Sequence, residues 1–309
     1  MDRRDFLKQV TAWSAGATLA APLFHVGSIL AAENQPKGQP VVAVVKGTDY
    51  GALVAKVLEP LGGMKAFVKQ GDRVVVKPNI GWDRKPEQGA NTNPEVVKAI
   101  VKLALDAGAK QVLVFDRSVN DVRRCYVASG IQAAVEGLKD PRAQCVFQDQ
   151  KKFVPVKIEN AKSLNQFDFY KPALESDCDC YINVPIAKHH LLSKLTLGLK
   201  NAMGVIGGNR GLIHQQNIHH RIADLNLVIK PKLTIMDATR ILLRNGPTGG
   251  KLEDVKVLDT LAASADMVAV DAYATTLFGM KPEDIGATVA ANQLGLGEID
   301  LGKVKIVEA

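Results

Sequence analysis

Gly71-Asp72-Arg73-Val74-Val75-Val76-Lys77-Pro78-Asn79 opens the segment that decides the fold, and Gln111-Val112-Leu113-Val114-Phe115-Asp116 closes it. The first run is short, β-branched and continuously apolar, the pattern of a strand buried on both faces. Between the two runs, Asn93 stands where a helix N-cap belongs, Pro94 at the first helical position and Glu95 in the first turn, which satisfies free N–H groups and suits the helix dipole. Val96, Val97, Ile100, Val101, Ala104 and Leu105 then recur at helical spacing until Gly108. Strand, helix, strand implies two parallel strands joined by a right-handed crossover, so residues 77–79 and Asp116 are expected on one edge of one sheet.

Two further apolar runs end in polar groups: residues 181–186 lead into Lys188 and His189, and residues 233–236 into Asp237. Ligands of open parallel sheets bind beyond the carboxyl ends of the strands. With all four runs pointing one way, Lys77, Asn79, Asp116, Lys188, His189 and Asp237 converge on one crevice. Residues 41–45 read as a first strand and 52–61 as its helix, with 144–147 and 154–158 as strands around a lysine-rich turn. The run 240–250, with Asn245-Gly246-Pro247 and Gly249-Gly250, reads as a loop. Residues 265–278 pass from a short strand into a helix through Asp271, and 303–307 form a closing strand. The fold class is therefore α/β, with a parallel or mixed core sheet and flanking helices, built either as one large domain or as two lobes around a cleft.

The stretch behind the third run crowds basic and amide groups together. Asn183-x-Pro185-x-x-Lys188-His189, followed by Lys200-Asn201-x-x-Gly204, resembles the core signature of the DUF362 family. The resemblance extends through Lys77-Pro78-Asn79, residues 92–97, Asp224-Leu225, residues 234–237, Asn245-Gly246-Pro247, residues 270–272 and residues 295–297. It covers roughly residues 40–309. Because it includes Lys77, Lys188 and Lys200, it implies an anion clamp, with Asn79 and Asn201 orienting the ligand. Some members of the family carry a ferredoxin-like cluster module, which requires runs such as C-x2-C-x2-C-x3-C; the four cysteines here form no such run, and an iron–sulfur cluster is not carried over. The layout also resembles, distantly, that of lactate racemases, implying proton or hydride chemistry beside a carboxylate.

Read from the residues alone, each lysine flanked by apolar neighbours must find an anion or lose its proton. Two arrangements satisfy this: Lys77, Lys188 and Lys200 clamp a carboxylate or phosphate, or one of them, Lys77 or Lys188, acts as a general base; alternatively the three pair with Asp116, Asp237 and Asp271. His189 is placed to move a proton, and His190 to point the other way. Beyond residue 32 every histidine falls within residues 189–220; His214, His220 and Asp224 either hold a divalent metal or serve as caps and hydrogen-bonding groups. Residues 204–211, rich in glycine, form either an anion cradle of backbone amides or a loop. The spacings of the dinucleotide fingerprint, the phosphate loop, the serine-hydrolase elbow and the zinc-protease helix are all missing.

The chain has 309 residues and a net charge of +7, yet its Lys and Arg are dispersed with little aromatic interleaving, which argues against nucleic acid as a partner. Arg3-Arg4-Asp5-Phe6-Leu7-Lys8, followed by an alanine-rich run, resembles a twin-arginine export signal. Residues 1–32 are accordingly expected to be the signal and 33–309 the α/β domain, exported to the periplasm or beyond. Gly16, Pro22 and His25 interrupt the run, so the segment is either cleaved near Ala32 or kept as an anchor, the one route to a membrane. Cys178-Asp179-Cys180 is either a redox or metal pair or two buried thiols. The expected function is that of an enzyme working on a small anionic substrate by lysine- and histidine-assisted acid–base chemistry, or else a non-catalytic binding or maturation protein for an anion or metallocofactor.

Overall fold

The structure, a computed structural model, describes residues 38–309; the expected export signal at residues 1–32 lies outside them. In chain order the elements are β1 (Val41–Lys46), α1 (Tyr50–Leu58), β2 (Arg73–Pro78), α2 (Pro94–Asp106), β3 (Gln111–Val114), α3 (Val122–Ala128), α4 (Ile131–Glu136), β4 (Ala143–Cys145), β5 (Phe153–Lys157) and β6 (Gln166–Tyr170). They continue with β7 (Cys180–Val184), β8 (Ile186–His190), β9 (Lys194–Thr196), α5 (Gly198–Asn201), α6 (Ile218–Val228), β10 (Leu233–Leu242), β11 (Val255–Ser264), α7 (Met267–Thr276), α8 (Gly286–Gln293) and β12 (Lys305–Glu308).

The expected strand, helix, strand unit is β2–α2–β3. Asn93 caps α2, its side chain accepting the Glu95 N–H, and Gly108 ends the helical segment with φ of +107°. The main sheet runs β12-β1-β11-β10-β7-β2-β3-β4, with the β8–β9 hairpin attached to β10. β10, β7, β2, β3 and β4 are mutually parallel, whereas β11 runs antiparallel to both β10 and β1. β5 and β6 form a separate two-stranded sheet.

Period-two alternation explains the layers. Val74, Val76, Cys180 and Ile182 face a core shared with α1 to α4, while Val75 and Tyr181 face a core shared with α5, α6 and α8. Each fully buried Val or Ile contributes about 1.5–3 kcal/mol of transfer free energy, so neither face of β2 or β7 can be turned toward water. Residues Gln39–Ala309 form one compact unit; the two-lobed alternative is not adopted. Of the run 240–250 expected to be a loop, residues 243–250 do form one; β10, however, runs on to Leu242, and after the loop the chain returns as β11, with a register shift between Ala238 and Arg240.

Candidate anion-binding site

The carboxyl ends of β2, β3 and β7 deliver the site. Lys77 is buried in β2, and its ammonium lies 2.8 Å from Asp116, just beyond β3. It also donates to the Asn201 side-chain oxygen at 2.7 Å and to the Pro78 carbonyl at 2.9 Å. Asp116 is an acceptor at both oxygens: Oδ1 receives the Arg117 N–H at 2.8 Å and Oδ2 the Ile80 N–H at 2.6 Å. Burial draws Lys77 below its ordinary pKa, and the Asp116 carboxyl beside it opposes that fall. Asn201 returns its amide to the Lys77 carbonyl at 3.0 Å and to Asn183 Oδ1 at 2.8 Å, and Asn183 donates to the Gly198 carbonyl at 3.0 Å. Gly204 closes over this network so tightly that a Cβ there would lie 1.9 Å from Asp116 Oδ1.

Lys188 and Lys200 are also buried, but neither forms an ion pair with a carboxylate among the described residues. Lys188 Nζ donates to the Ala90 carbonyl and, at 3.3 Å, to Asn79 Oδ1. Lys200 Nζ has Met203 Sδ at 3.3 Å and His214 Nε2 at 3.4 Å. Burial pushes both lysines down to about 7; at Lys188 the Asp116 carboxyl acts the other way while Lys200 and Lys77 add to the fall, and Arg210 lowers Lys200. His190 stacks on His214 with ring centroids 5.8 Å apart, and burial together with the neighbouring lysines lowers the two rings to about 3 and about 4. Both imidazoles are therefore neutral near pH 7.

The depressed lysines make a stability prediction. Between about pH 7 and the unfolded lysine pKa of about 10.4, the unfolded chain binds more protons at these sites than the folded one, so stability rises with pH by up to about 1.4 kcal/mol per pH unit for each lysine. Asp271, raised to about 7 by burial, acts in the opposite sense but only below that range. Denaturant midpoints measured upward from pH 7 are expected to climb in the wild type and to lose most of that slope in Lys188→Met combined with Lys200→Met. A flat wild-type profile would show both amines to be solvated.

Several expected site residues bond backbone groups rather than the buried lysines. His189 faces away from Lys188, because adjacent strand residues point to opposite faces; its Nδ1 accepts the Gly246 N–H at 3.1 Å. His190 takes its place in the cluster. Asp237 is buried with no lysine: it accepts the Asn93 N–H at 2.7 Å and the Thr239 N–H at 2.9 Å, tying the start of α2 to β10. Asp271 receives the Gly198 and Leu199 N–H groups at 2.7 and 2.9 Å, which fixes the short α5 carrying Lys200 and Asn201. Of the three carboxylates offered as lysine partners, only Asp116 is one.

The expected metal set does not assemble. Asp224 spends both oxygens on the N–H groups of Lys162, Ser163 and Leu164. His214 stands beside Lys200, and His220 lines a separate cavity of about 320 Å³ with Lys162, Ser163 and Asn217. Among the described residues no group of three or more His, Cys, Asp or Glu is placed to hold a metal ion. The glycine-rich turn also differs from an amide cradle, since it presents carbonyls: Arg117 donates to those of Ile206, Gly207 and Gly208. Arg210, on the same turn, donates to the carbonyls of Arg117 and Ser118. Neither arginine carries a local sequence signal, as each is brought in by a loop crossing. Cys125, Cys145, Cys178 and Cys180 are all free thiols.

Residues 74–276 match the family described as a domain of unknown function, DUF362, and the chain belongs to that family. Its relatives include the thylakoid-associated protein sll1697 of Synechocystis, 30% identical over an alignment of 267 positions that covers 82% of this chain and 79% of that one. A crystal structure of a Thermotoga maritima protein aligns at 12% identity with a TM-score of 0.40; the match covers 80% of this chain and 60% of that one.

Proposed function

We propose that the chain binds a small anion, a carboxylate or phosphate, beyond the carboxyl ends of β2, β3 and β7 and exchanges a proton with it. The observation that carries this reading is that Lys188 and Lys200, 1% and 8% exposed, form no ion pair with a carboxylate among the described residues, their amines having only carbonyl, amide, thioether and imidazole partners. Two unpaired buried ammonium groups are a costly way to build a scaffold. A ligand supplies the missing charge, entering between Asn79, Arg210 and His214, which are only half-buried. Lys200 and Arg210 hold the charge, Asn79 and Asn201 orient the ligand, and Lys188 is the acid–base group, since an amine drawn to about 7 can release and regain a proton near neutral pH. With the relative's name referring to thylakoids and a twin-arginine-type motif at Arg3-Arg4, the proposal includes export of the chain.

The test is Lys188→Met, followed by thermal unfolding with and without inorganic phosphate and short carboxylates. A wild-type ligand at a hundredfold excess over its Kd adds about 2.7 kcal/mol. In the variant that gain is expected to vanish while the ligand-free protein is as stable as wild type or more so, because an unpaired buried cation has been removed. A large loss of stability in ligand-free Lys188→Met would return the residue to the scaffold. Ligand recovered chemically unchanged after incubation would leave binding without catalysis.

A further inference from the structure

The β8–β9 hairpin turns on two adjacent exposed leucines. Leu191 is 80% and Leu192 56% exposed, although the strands on either side are largely buried. The polar groups of the turn are satisfied within it. His190 Nδ1 accepts the N–H groups of Leu192 and Ser193 at 3.1 and 3.3 Å, Ser193 Oγ donates to the Leu195 carbonyl at 2.9 Å, and the Leu195 N–H donates to the Ser193 carbonyl at 2.7 Å. Such a turn can leave water without stranding these groups, which is the condition for entering an apolar medium. Because β8 is parallel to β10, the loop after β10 emerges at the same end of the sheet. It lies against the hairpin, the Gly246 N–H donating to His189 Nδ1 at 3.1 Å, and its two arms are tied by the Leu243 N–H and the Asp254 carbonyl at 2.8 Å. Leu243 and Leu252 on this loop are 39% and 61% exposed.

The charge at this end is basic. No Asp or Glu stands between Asp179 and Asp224, a span that contains the whole hairpin. On the loop, Arg244 pairs with Asp254 at 3.0 Å and Lys251 lies 3.6 Å from Glu253, so those charges offset one another. Lys85 and Glu87, brought alongside by the Gln88 hydrogen bond to the Gly250 carbonyl at 2.8 Å, do the same. That leaves Lys194, on the hairpin itself, and Lys256, in register with Ile241 on β10; both are exposed and form no ion pair among the described residues.

We propose that this end of the sheet docks on a membrane carrying anionic headgroups, with Leu191 and Leu192 entering the interface and Lys194 and Lys256 facing the headgroups. A fluid apolar layer takes up two adjacent projecting side chains without a matching pocket, and anionic headgroups suit the unpaired lysines. The contact needs neither the expected export signal nor the anion site.

Vesicles of phosphatidylcholine, alone or mixed with phosphatidylglycerol, test this on the full chain. Leu191→Trp reports on the turn itself, since an indole settles at the membrane interface; Leu192→Trp serves if that variant is not folded by circular dichroism. With mixed vesicles the variant is expected to show a blue shift and quenching by brominated lipid beyond those of the wild type, whose own tryptophans are Trp13 and Trp82. Val127→Trp, at a position 72% exposed on α3, is the reference and should stay unquenched. The signal should weaken on phosphatidylcholine alone. Adding Lys194→Asn, which tolerates the φ of +61° there, should weaken the mixed-vesicle titration about fivefold, the worth of one basic residue at an anionic surface. Vesicle-bound protein with an unquenched indole at position 191, or equal quenching of both reporters, places the lipid contact elsewhere and overturns the proposal, as does a failure of the chain to bind vesicles. An unquenched indole together with a wild-type dimer that Leu191→Ser plus Leu192→Ser dissolves in sedimentation would overturn it in favour of a second copy of the chain.

Discussion

Asp116→Asn is expected to destabilise the protein by about 3–5 kcal/mol near pH 7, the range for stranding one partner of a buried ion pair. The change is nearly isosteric, so packing is preserved; the loss joins the stranded charge to one backbone N–H, of Ile80 or Arg117, that faces an NH2 unable to accept it. Lys77, 1% exposed, would keep the Pro78 carbonyl and Asn201 as neutral partners but would have no anion left. Its only relief is to shed its proton. Burial already lowers the pKa of Lys77, and without Asp116 it falls further, so the variant should regain stability as pH rises toward the unfolded lysine value of about 10.4. Urea unfolding at several pH values checks both the loss and its recovery. A loss below about 1 kcal/mol, the range of exposed ion pairs, would show that the pair is solvated.

Gly204→Ala is expected to be nearly as damaging for a different reason. The backbone at Gly204 is one that alanine can adopt, since its φ is not among the positive values, so conformation does not forbid the change. Space does. The added methyl would stand 1.9 Å from Asp116 Oδ1 and 2.4 Å from both Cε and Nζ of Lys77. These atoms are held by the Arg117 N–H, Asn201 and Pro78, so the turn after α5 must move instead. Overpacking alone costs about 1–3 kcal/mol, and parting the ion pair brings the total toward the value for Asp116→Asn. The same movement carries Arg210 away from the Arg117 and Ser118 carbonyls, so anion affinity should fall by about tenfold or more. Wild-type midpoint and affinity in Gly204→Ala would mean that this turn does not rest on the ion pair.

The β2–α2–β3 unit was legible because its signals agree: a β-branched run, an Asn-Pro-Glu start, helical spacing and a terminal glycine all describe one local structure. From that unit the crossover placed Lys77 beside Asp116, a long-range contact obtained from local pattern. β11 was not legible in the same way. Val255–Ser264 is exposed in its first half and buried in its second, so no single period describes it, and its pairing with β10 is tertiary. The strand beyond Pro185 was the costlier omission. β8 places Lys188 and His190 on one face and His189 on the other, an alternation that the polar run Lys188-His189-His190 does not announce. Where Asp237 and Asp271 direct their oxygens was not legible, because a buried carboxylate can accept backbone N–H groups as well as pair with a lysine, and sequence does not separate the two uses. Arg117 and Arg210 reach the cluster only through the folded loops.

The state of the cysteines opens an optical route to the site. Burial pushes the Cys145, Cys178 and Cys180 thiols up to about 12 and raises Cys125 as well, so at neutral pH the chain offers almost no thiolate to an alkylating dye. A single cysteine introduced on the β8–β9 hairpin would be labelled selectively. Leu192 is 56% exposed and lies four residues from Lys188, within about 13 Å along the chain at the rise of a strand. A fluorophore on Leu192→Cys would sit close enough to sense the field change when an anion enters, turning occupancy of a buried site into a signal read at the surface.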